Sequence, residues 1–176
     1  VMKIVIASAL FPPDTAESAA HVKELAKRLT ENHEVTLVIY GHLPEHVPGA
    51  RIIVVSKRRP LPWRLASYAA ALFRAALNAD VIYAQNGSSV ELPAVLVSFL
   101  TRTPLVLGMS DERDHRNATQ HFIRRGIEHL AILCAHAIVR NIPPPRPEIL
   151  PIEPYPHAKF AAYEQSWNDH MKTLVE

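Results

Sequence analysis

The side chains best suited to binding or proton transfer come in three groups, each directly after an apolar segment. The groups are Asp14, Thr15, Glu17 and Ser18 after residues 3–10; Gln85, Asn86 and Ser88 after 79–85; and Asp111, Glu112 and His115 after 104–110. A carboxylate can accept a proton, a histidine can carry one near neutral pH, and amides and hydroxyls can hydrogen-bond a sugar or a nucleotide. Loops are polar in general, so any one of these groups alone could simply be part of the solvent-exposed surface. Three groups at one edge of a sheet would make a binding site.

Apolar, β-branched segments alternate along the chain with amphipathic ones. The predicted strands are residues 3–10, 33–40, 51–56, 79–85, 104–110 and 136–140, and the predicted helices are 18–32, 63–78, 89–102 and 118–134. Short strands that are apolar throughout are typical of a parallel sheet covered on both faces. We therefore predict an α/β fold with a single Rossmann-like, doubly wound, mostly parallel sheet of about six strands. Ligands bind at the carboxyl ends of strands in such sheets, where the three polar groups are expected.

The length of 176 residues fits one domain with its own core. We assign residues 1–140 to the Rossmann-like domain and 141–157 to a proline-rich linker. Residues 158–176 form an amphipathic helix that we expect to pack back on the same domain.

Composition and missing motifs exclude several classes of protein. Lys and Arg number 19 against 17 Asp and Glu, so nucleic acid held by charge alone is not expected. The one cysteine, Cys134, excludes an internal disulfide and is expected to be a small buried side chain. His42 and His46 have the spacing of metal ligands, but Pro44 between them argues against one helix face, so no metal site is predicted. The glycine-rich nucleotide motifs and the nucleophile elbow of hydrolases are also missing from these loops.

A combination of short motifs resembles a known family. The motifs are Met2–Ile6, Phe11–Asp14, His21–Leu29, His33–Thr36, Ala79–Gln85 with Leu92–Ala94, and Pro104–Leu107 followed by Asp111. Over about residues 2–140 the chain resembles the N-terminal domain of family 4-like glycosyltransferases of the GT-B fold. That resemblance implies transfer of a sugar from a nucleotide diphosphate to an acceptor hydroxyl. In the family the N-terminal domain mainly holds the acceptor and a second domain mainly holds the sugar nucleotide.

The resemblance also implies roles for particular residues. Asp111 and His115 become catalytic candidates, and acceptor binding is implied for Gln85, Asn86, Ser88 and Glu112. Thr15, Ala16, Glu17 and Ser18 correspond to the loop near the donor phosphates. The ordinary alternatives are a helix-capping carboxylate for Asp111, a surface histidine for His115 and a residue that complements the helix dipole for Glu17.

Two departures from the family pattern limit what the resemblance implies. Ala16 and Glu17 occupy the place of a Gly-Gly pair, where a carboxylate would repel phosphate. The donor-binding domain has no counterpart in these residues. We expect an acceptor-binding domain that works with a separate donor-binding subunit, or a homodimer, on a nucleotide-sugar substrate and without a tightly bound cofactor. The alternative is a non-catalytic binding module that kept the fold.

A basic segment precedes and enters the second predicted helix. Arg58, Arg59 and Arg64 flank Trp63, a composition that suits an anionic membrane surface. The alternative is a core helix preceded by a solvated basic loop. The expected location is the cytoplasm, with peripheral attachment to the inner face of the membrane as an extension of that hypothesis.

Overall fold

The computed structural model describes residues 1–13, 17–85, 87–108, 122–139 and 157–175. The strands are β1 (Lys3–Ser8), β2 (Glu34–Gly41), β3 (Ala50–Ser56), β4 (Val81–Gln85), β5 (Leu105–Gly108) and β6 (Ala137–Val139). The helices are α1 (Glu17–Leu29), α2 (Leu61–Ala76), α3 (Ser88–Thr101), α4 (Phe122–Cys134) and α5 (His157–Val175).

The six strands form one sheet in the order β3-β2-β1-β4-β5-β6, and every neighbouring pair is parallel. This is the strand order of a doubly wound Rossmann sheet, so the predicted fold class is confirmed. The order reverses between β1 and β4, where Ala7 lies opposite Ala84. Crevices at such a reversal are where these sheets bind ligands. The loop 42–49 joins β2 to β3 without a helix and buries Val47 in the core.

Two helical layers cover the sheet because strand side chains alternate between its faces. Ile4 and Ile6 of β1 pack with α1 and α5 on one face, whereas Val5 and Ala7 pack with α2, α3 and α4 on the other. The buried side of α1 has the i, i+3, i+4, i+7 spacing of an amphipathic helix and consists of Val22, Leu25, Ala26 and Leu29. The closing helix α5 contributes Trp167 and Leu174 to the same core.

Two details differ from the sequence-based expectations. The first helix is predicted over residues 18–32, whereas α1 spans Glu17–Leu29, so it begins one residue earlier and ends three residues sooner. Cys134 was predicted to be buried, but it is exposed at the last residue of α4. The apolar stretch before Cys134 is what suggested burial; the helix instead turns Leu133 and Cys134 outward.

Candidate functional site

The carboxyl edge of the sheet collects the ends of the strands that the sequence singled out. Gln85 is the last residue of β4 and is buried, and Ser8 ends the neighbouring strand β1. Gly87 precedes α3 with φ 146°, in the left-handed region that favours glycine. This residue lets the chain turn from β4 directly into the first turn of α3 at the same edge.

Many of the predicted site residues fall outside the part of the chain that the structure describes. These are Thr15, Ala16, Asn86, Asp111, Glu112 and His115. The backbones of Glu17 and Ser18 lie in the first turn of α1, and that of Ser88 begins α3. The two helices therefore start within one residue of the predicted positions, at the strand ends, while the catalytic and acceptor-binding roles stay predictions.

A cleft of about 420 Å³ opens at the same edge, above β1, β2 and β3. Its lining is mostly apolar and includes Phe11, Pro12 and Pro13 after β1, Tyr40 through Pro44 at the end of β2, and Ser56, Lys57 and Arg58 after β3. The sequence reasoning missed this cleft because it selected the loops after the first, fourth and fifth strands. Parallel pairing of β3 to β2 is what brings the third loop alongside the first. The prolines and aromatic residues of these loops were the available signal.

Buried tyrosines support the wall of the cleft. The rings of Tyr40 and Tyr68 stack with centroids 4.3 Å apart. The Tyr68 hydroxyl donates to the Val38 carbonyl at 2.8 Å, and that of Tyr40 donates to the Ser89 carbonyl at 3.1 Å. Burial raises the pKa of Tyr40 to about 12, against the opposing charge of Arg64. These hydrogen bonds connect β2 to α2 and α3, and they fix the position of Tyr40 in the cleft lining.

The residues of the basic segment differ in their exposure to solvent and in their contacts. Arg58 is exposed and lines the cleft, and Arg59 Nη1 donates to Ser67 Oγ at 3.0 Å. Trp63 is 69% exposed in the first turn of α2. Arg64 is only half-exposed, because its guanidinium lies 5.7 Å from the centre of the Tyr40 ring. Three of the four residues predicted for a membrane surface are thus exposed, while the fourth, Arg64, packs against Tyr40 in the wall of the cleft.

Tyr83 of β4 is fully buried on the face of the sheet that α1 covers. A Cβ added to Gly108 at the end of β5 would come within 2.1 Å of Tyr83 Oη, so glycine is needed for this close approach. Burial raises the pKa of Tyr83 well above its usual value. The hydroxyl has no hydrogen-bond partner among the described residues.

The closing helix α5 is attached to α1 by an aromatic cluster and an ion pair. His21 stacks on Trp167 at 5.1 Å between ring centroids, and His170 meets Tyr83 edge-on at 6.0 Å. Arg28 donates to both carboxylate oxygens of Glu164, at 2.7 and 2.9 Å. This hydrogen bonding raises the pKa of Arg28 and lowers that of Glu164.

Metal ligands do not converge at this edge in the described residues: no group of three or more His, Cys, Asp or Glu side chains could hold an ion there or elsewhere in them. Within the same residues, no helix is long and apolar enough to cross a membrane.

No protein-family model matches the chain, and no curated protein matches it in sequence. Solved structures do match. HepE from Anabaena, solved with UDP and glucose, is 21% identical with a TM-score of 0.56, and the match covers 94% of this chain and 41% of HepE. S. aureus MnaA, solved with UDP, is 13% identical with a TM-score of 0.53, over 78% of this chain and 37% of MnaA. A UDP-N-acetylglucosamine 2-epimerase is 13% identical with a TM-score of 0.53, over 78% and 41%.

These neighbours have GT-B glycosyltransferase-like folds, and the likeness establishes the fold of this chain. The chain spans about two fifths of the length of each of them. The match to HepE leaves only 6% of this chain uncovered, which is less than the 19 residues of α5. The likeness to HepE therefore extends into the closing helix.

Proposed function

We propose that this chain is the acceptor-binding domain of a glycosyltransferase that uses a nucleotide sugar. The observation that carries the proposal is the match of 94% of the chain, extending into the closing helix, to two fifths of a protein solved with UDP and glucose. The motif resemblance along residues 2–140 supports the same assignment independently of the fold. The family 4 membership suggested by those motifs is part of the proposal.

In this proposal a second, donor-binding body supplies most of the contacts to the nucleotide sugar. It is a separate subunit or a second copy of this chain, docked on the carboxyl edge. Glu17 at the start of α1 fits such a division, because a carboxylate at a helix N-terminus disfavours phosphate at that position. The sugar nucleotide is then a substrate of the assembled pair rather than a cofactor of this domain.

The cleft above β1, β2 and β3 is our candidate for the acceptor site. Its apolar lining suits the faces of sugar rings or an apolar aglycone, and Arg58 on its border suits an anionic group. Gln85, Asn86, Ser88 and Glu112 would hydrogen-bond the part of the acceptor nearest to the strand reversal. In the transfer step the acceptor oxygen forms a bond to the sugar's anomeric carbon, and the bond from that carbon to the nucleoside diphosphate breaks.

The proton of the acceptor hydroxyl needs a base during that step. We assign this role to Asp111, with His115 as the alternative carrier, because a carboxylate or imidazole after β5 would lie at the carboxyl edge. A base positioned for proton transfer typically accounts for a rate factor of 10² to 10⁴.

Acceptor binding can be tested on the chain alone by titrating ¹⁵N-labelled protein with oligosaccharides selected on a glycan array. We expect amide shifts at the cleft loops, including Phe11 and Gly41, and loss of the response in Leu43→Asp. Leu43 lines the cleft and is 83% exposed, so the change blocks the cleft without disturbing the core. Leu77→Asp, at an exposed residue directly after the C-terminal end of α2 and outside the cleft, is the matched control. Glycan-induced shifts that survive Leu43→Asp would place the acceptor elsewhere.

A non-catalytic binding module is the second candidate, favoured by the Ala16-Glu17 replacement of the family's Gly-Gly pair. Such a module would bind the acceptor in the same cleft but would gain no affinity for a sugar nucleotide when its partner is added. Either function is compatible with our proposed location, the cytoplasm and the inner face of the membrane.

A further inference from the structure

The two helical layers differ sharply in their outward faces. Seven large apolar side chains of α3 and α4 are exposed, and we call them the α3–α4 face: Leu92, Leu96, Phe99, Leu100, Ile123, Leu130 and Leu133. α3 packs directly against α4, and a groove of about 770 Å³ between their C-terminal ends is lined by Phe99 and Leu100. The exposed side chains therefore belong to one continuous surface.

The opposite layer has no comparable surface. Among the described side chains of α1 and α5, no large apolar residue is exposed. Their outward positions carry charges of both signs, such as Lys27, Asp169 and Lys172. The outward surface of α1 and α5 thus carries charges of both signs, and the α3–α4 face differs from it in being apolar. Contiguous exposed apolar surface of this kind marks a binding face for a protein or a membrane.

Among the side chains that the structure describes, the charges that border the α3–α4 face have one sign. Arg102 directly after α3 lines the groove, and Arg125 lies on α4; both side chains are exposed. Glu91 is buried, and none of the described side chains of α2, α3 and α4 presents an exposed carboxylate. The basic segment with Arg58 and Arg59 lies in the same layer, just before α2.

We propose that the α3–α4 face docks on an anionic lipid surface. Phe99 is 81% exposed and Leu133 is 70% exposed, so both side chains can enter the boundary between headgroups and acyl chains. The arginines at the border keep their charge at the headgroups while their stems cover apolar surface. A second copy of the chain fits less well, since a two-fold interface would bring together two borders whose described charges are all positive.

This inference does not depend on the proposed sugar transfer. It uses helices that lie on one side of the sheet, whereas the cleft lies at the carboxyl edge. Membrane docking could fail while acceptor binding holds, and the reverse is equally possible.

Vesicle flotation of the full chain tests the inference. We expect binding to vesicles of phosphatidylglycerol and phosphatidylcholine, weak binding to phosphatidylcholine alone, and a loss of binding as salt is raised. The double variant Phe99→Ser with Leu133→Ser should bind vesicles at least about tenfold more weakly, because it lacks two large apolar side chains that would otherwise leave water on binding. Arg102→Glu should weaken binding by roughly fivefold or more.

Two matched controls use exposed residues away from this face. Val54→Ser removes an exposed apolar side chain of β3, and Lys27→Glu reverses a charge on α1; both should bind vesicles like the unmodified chain. All the changed side chains are exposed, so thermal unfolding should stay cooperative in every variant. Equal binding to both vesicle types, undiminished binding of the Phe99→Ser and Leu133→Ser variant, or a dimer in solution that this variant disperses would each overturn the inference.

Discussion

Acid should lower the stability of the fold through His170 of the closing helix. This side chain is 3% exposed, and neither ring nitrogen hydrogen-bonds to a described residue. It faces His21 of α1 at 5.3 Å, Tyr83 of β4 at 6.0 Å and Trp167 of its own helix at 5.9 Å between ring centroids. None of these neighbours is an anion that could stabilise a protonated imidazole. Burial therefore lowers the pKa of His170 from 6.5 to about 4.

The sign of the effect follows from proton uptake by the unfolded chain. Above pH 6.5 His170 is neutral in both states, so its contribution to stability is constant. Between pH 6.5 and pH 4 the unfolded chain binds a proton that the folded chain does not, and the free energy of unfolding falls by about 1.4 kcal/mol per pH unit. The expected loss from His170 is about 2 kcal/mol at pH 5 and about 3 kcal/mol below pH 4. Against a typical domain stability of about 5–15 kcal/mol, that is a large fraction.

Urea unfolding at pH 7 and pH 5, followed by tryptophan fluorescence, measures this loss. Trp63→Phe in every variant leaves the buried Trp167 as the reporter next to His170. His170→Phe keeps an aromatic ring in place but cannot be protonated, so its loss between the two pH values should be about 2 kcal/mol smaller than that of the parent. His46→Gln, at an exposed position, is the control and should behave like the parent. Equal losses in the parent and in His170→Phe would refute the reasoning.

Three further substitutions test how the framework is held. Tyr68→Phe removes the hydroxyl that donates to the buried Val38 carbonyl and should cost about 1–2 kcal/mol in urea unfolding. Gly108→Ala forces the buried Tyr83 ring to move and should cost about 1–3 kcal/mol of stability. Adding Tyr83→Phe removes the closest atom, the hydroxyl oxygen, and should recover part of that loss. The recovery should be partial because the new Cβ would still lie too close to the ring carbons. Glu164→Gln weakens the two-point contact with Arg28 and should cost about 1 kcal/mol near neutral pH; because Arg28 lowers the pKa of Glu164, the difference should shrink as acid protonates this carboxyl in the parent.

The sequence predicted the sheet well because each strand carries its own signal. The middle residues of β1, β4 and β5 are apolar, and apart from Lys3 at the start of β1 these strands are buried on both faces, which is the pattern of central parallel strands. α1 was equally clear, since its apolar residues repeat every three or four positions. These are local properties, and each can be recognised without knowing which elements are neighbours.

The cleft and the α3–α4 face could not be predicted in the same way. The cleft depends on β3 pairing with β2, which brings together loops that are far apart in sequence. α3 is apolar on all sides, so its sequence indicates burial, while the structure leaves Phe99 and Leu100 exposed. Cys134 was misjudged for the same reason: an apolar neighbourhood in sequence does not specify which side of a helix meets the core.

Sugar transfer by the complex purified from source cells is the most direct test of the proposed function. The tagged chain is isolated with its bound proteins and given radiolabelled UDP-glucose or UDP-N-acetylglucosamine. We predict that a donor-binding protein or a second copy is recovered, and that label passes to an acceptor. Asp111→Asn should lower the transfer rate by about 10² or more, whereas Asp169→Asn on the exposed side of α5 should not. A complex that contains no such partner and transfers no label would contradict the account and favour the non-catalytic binding module.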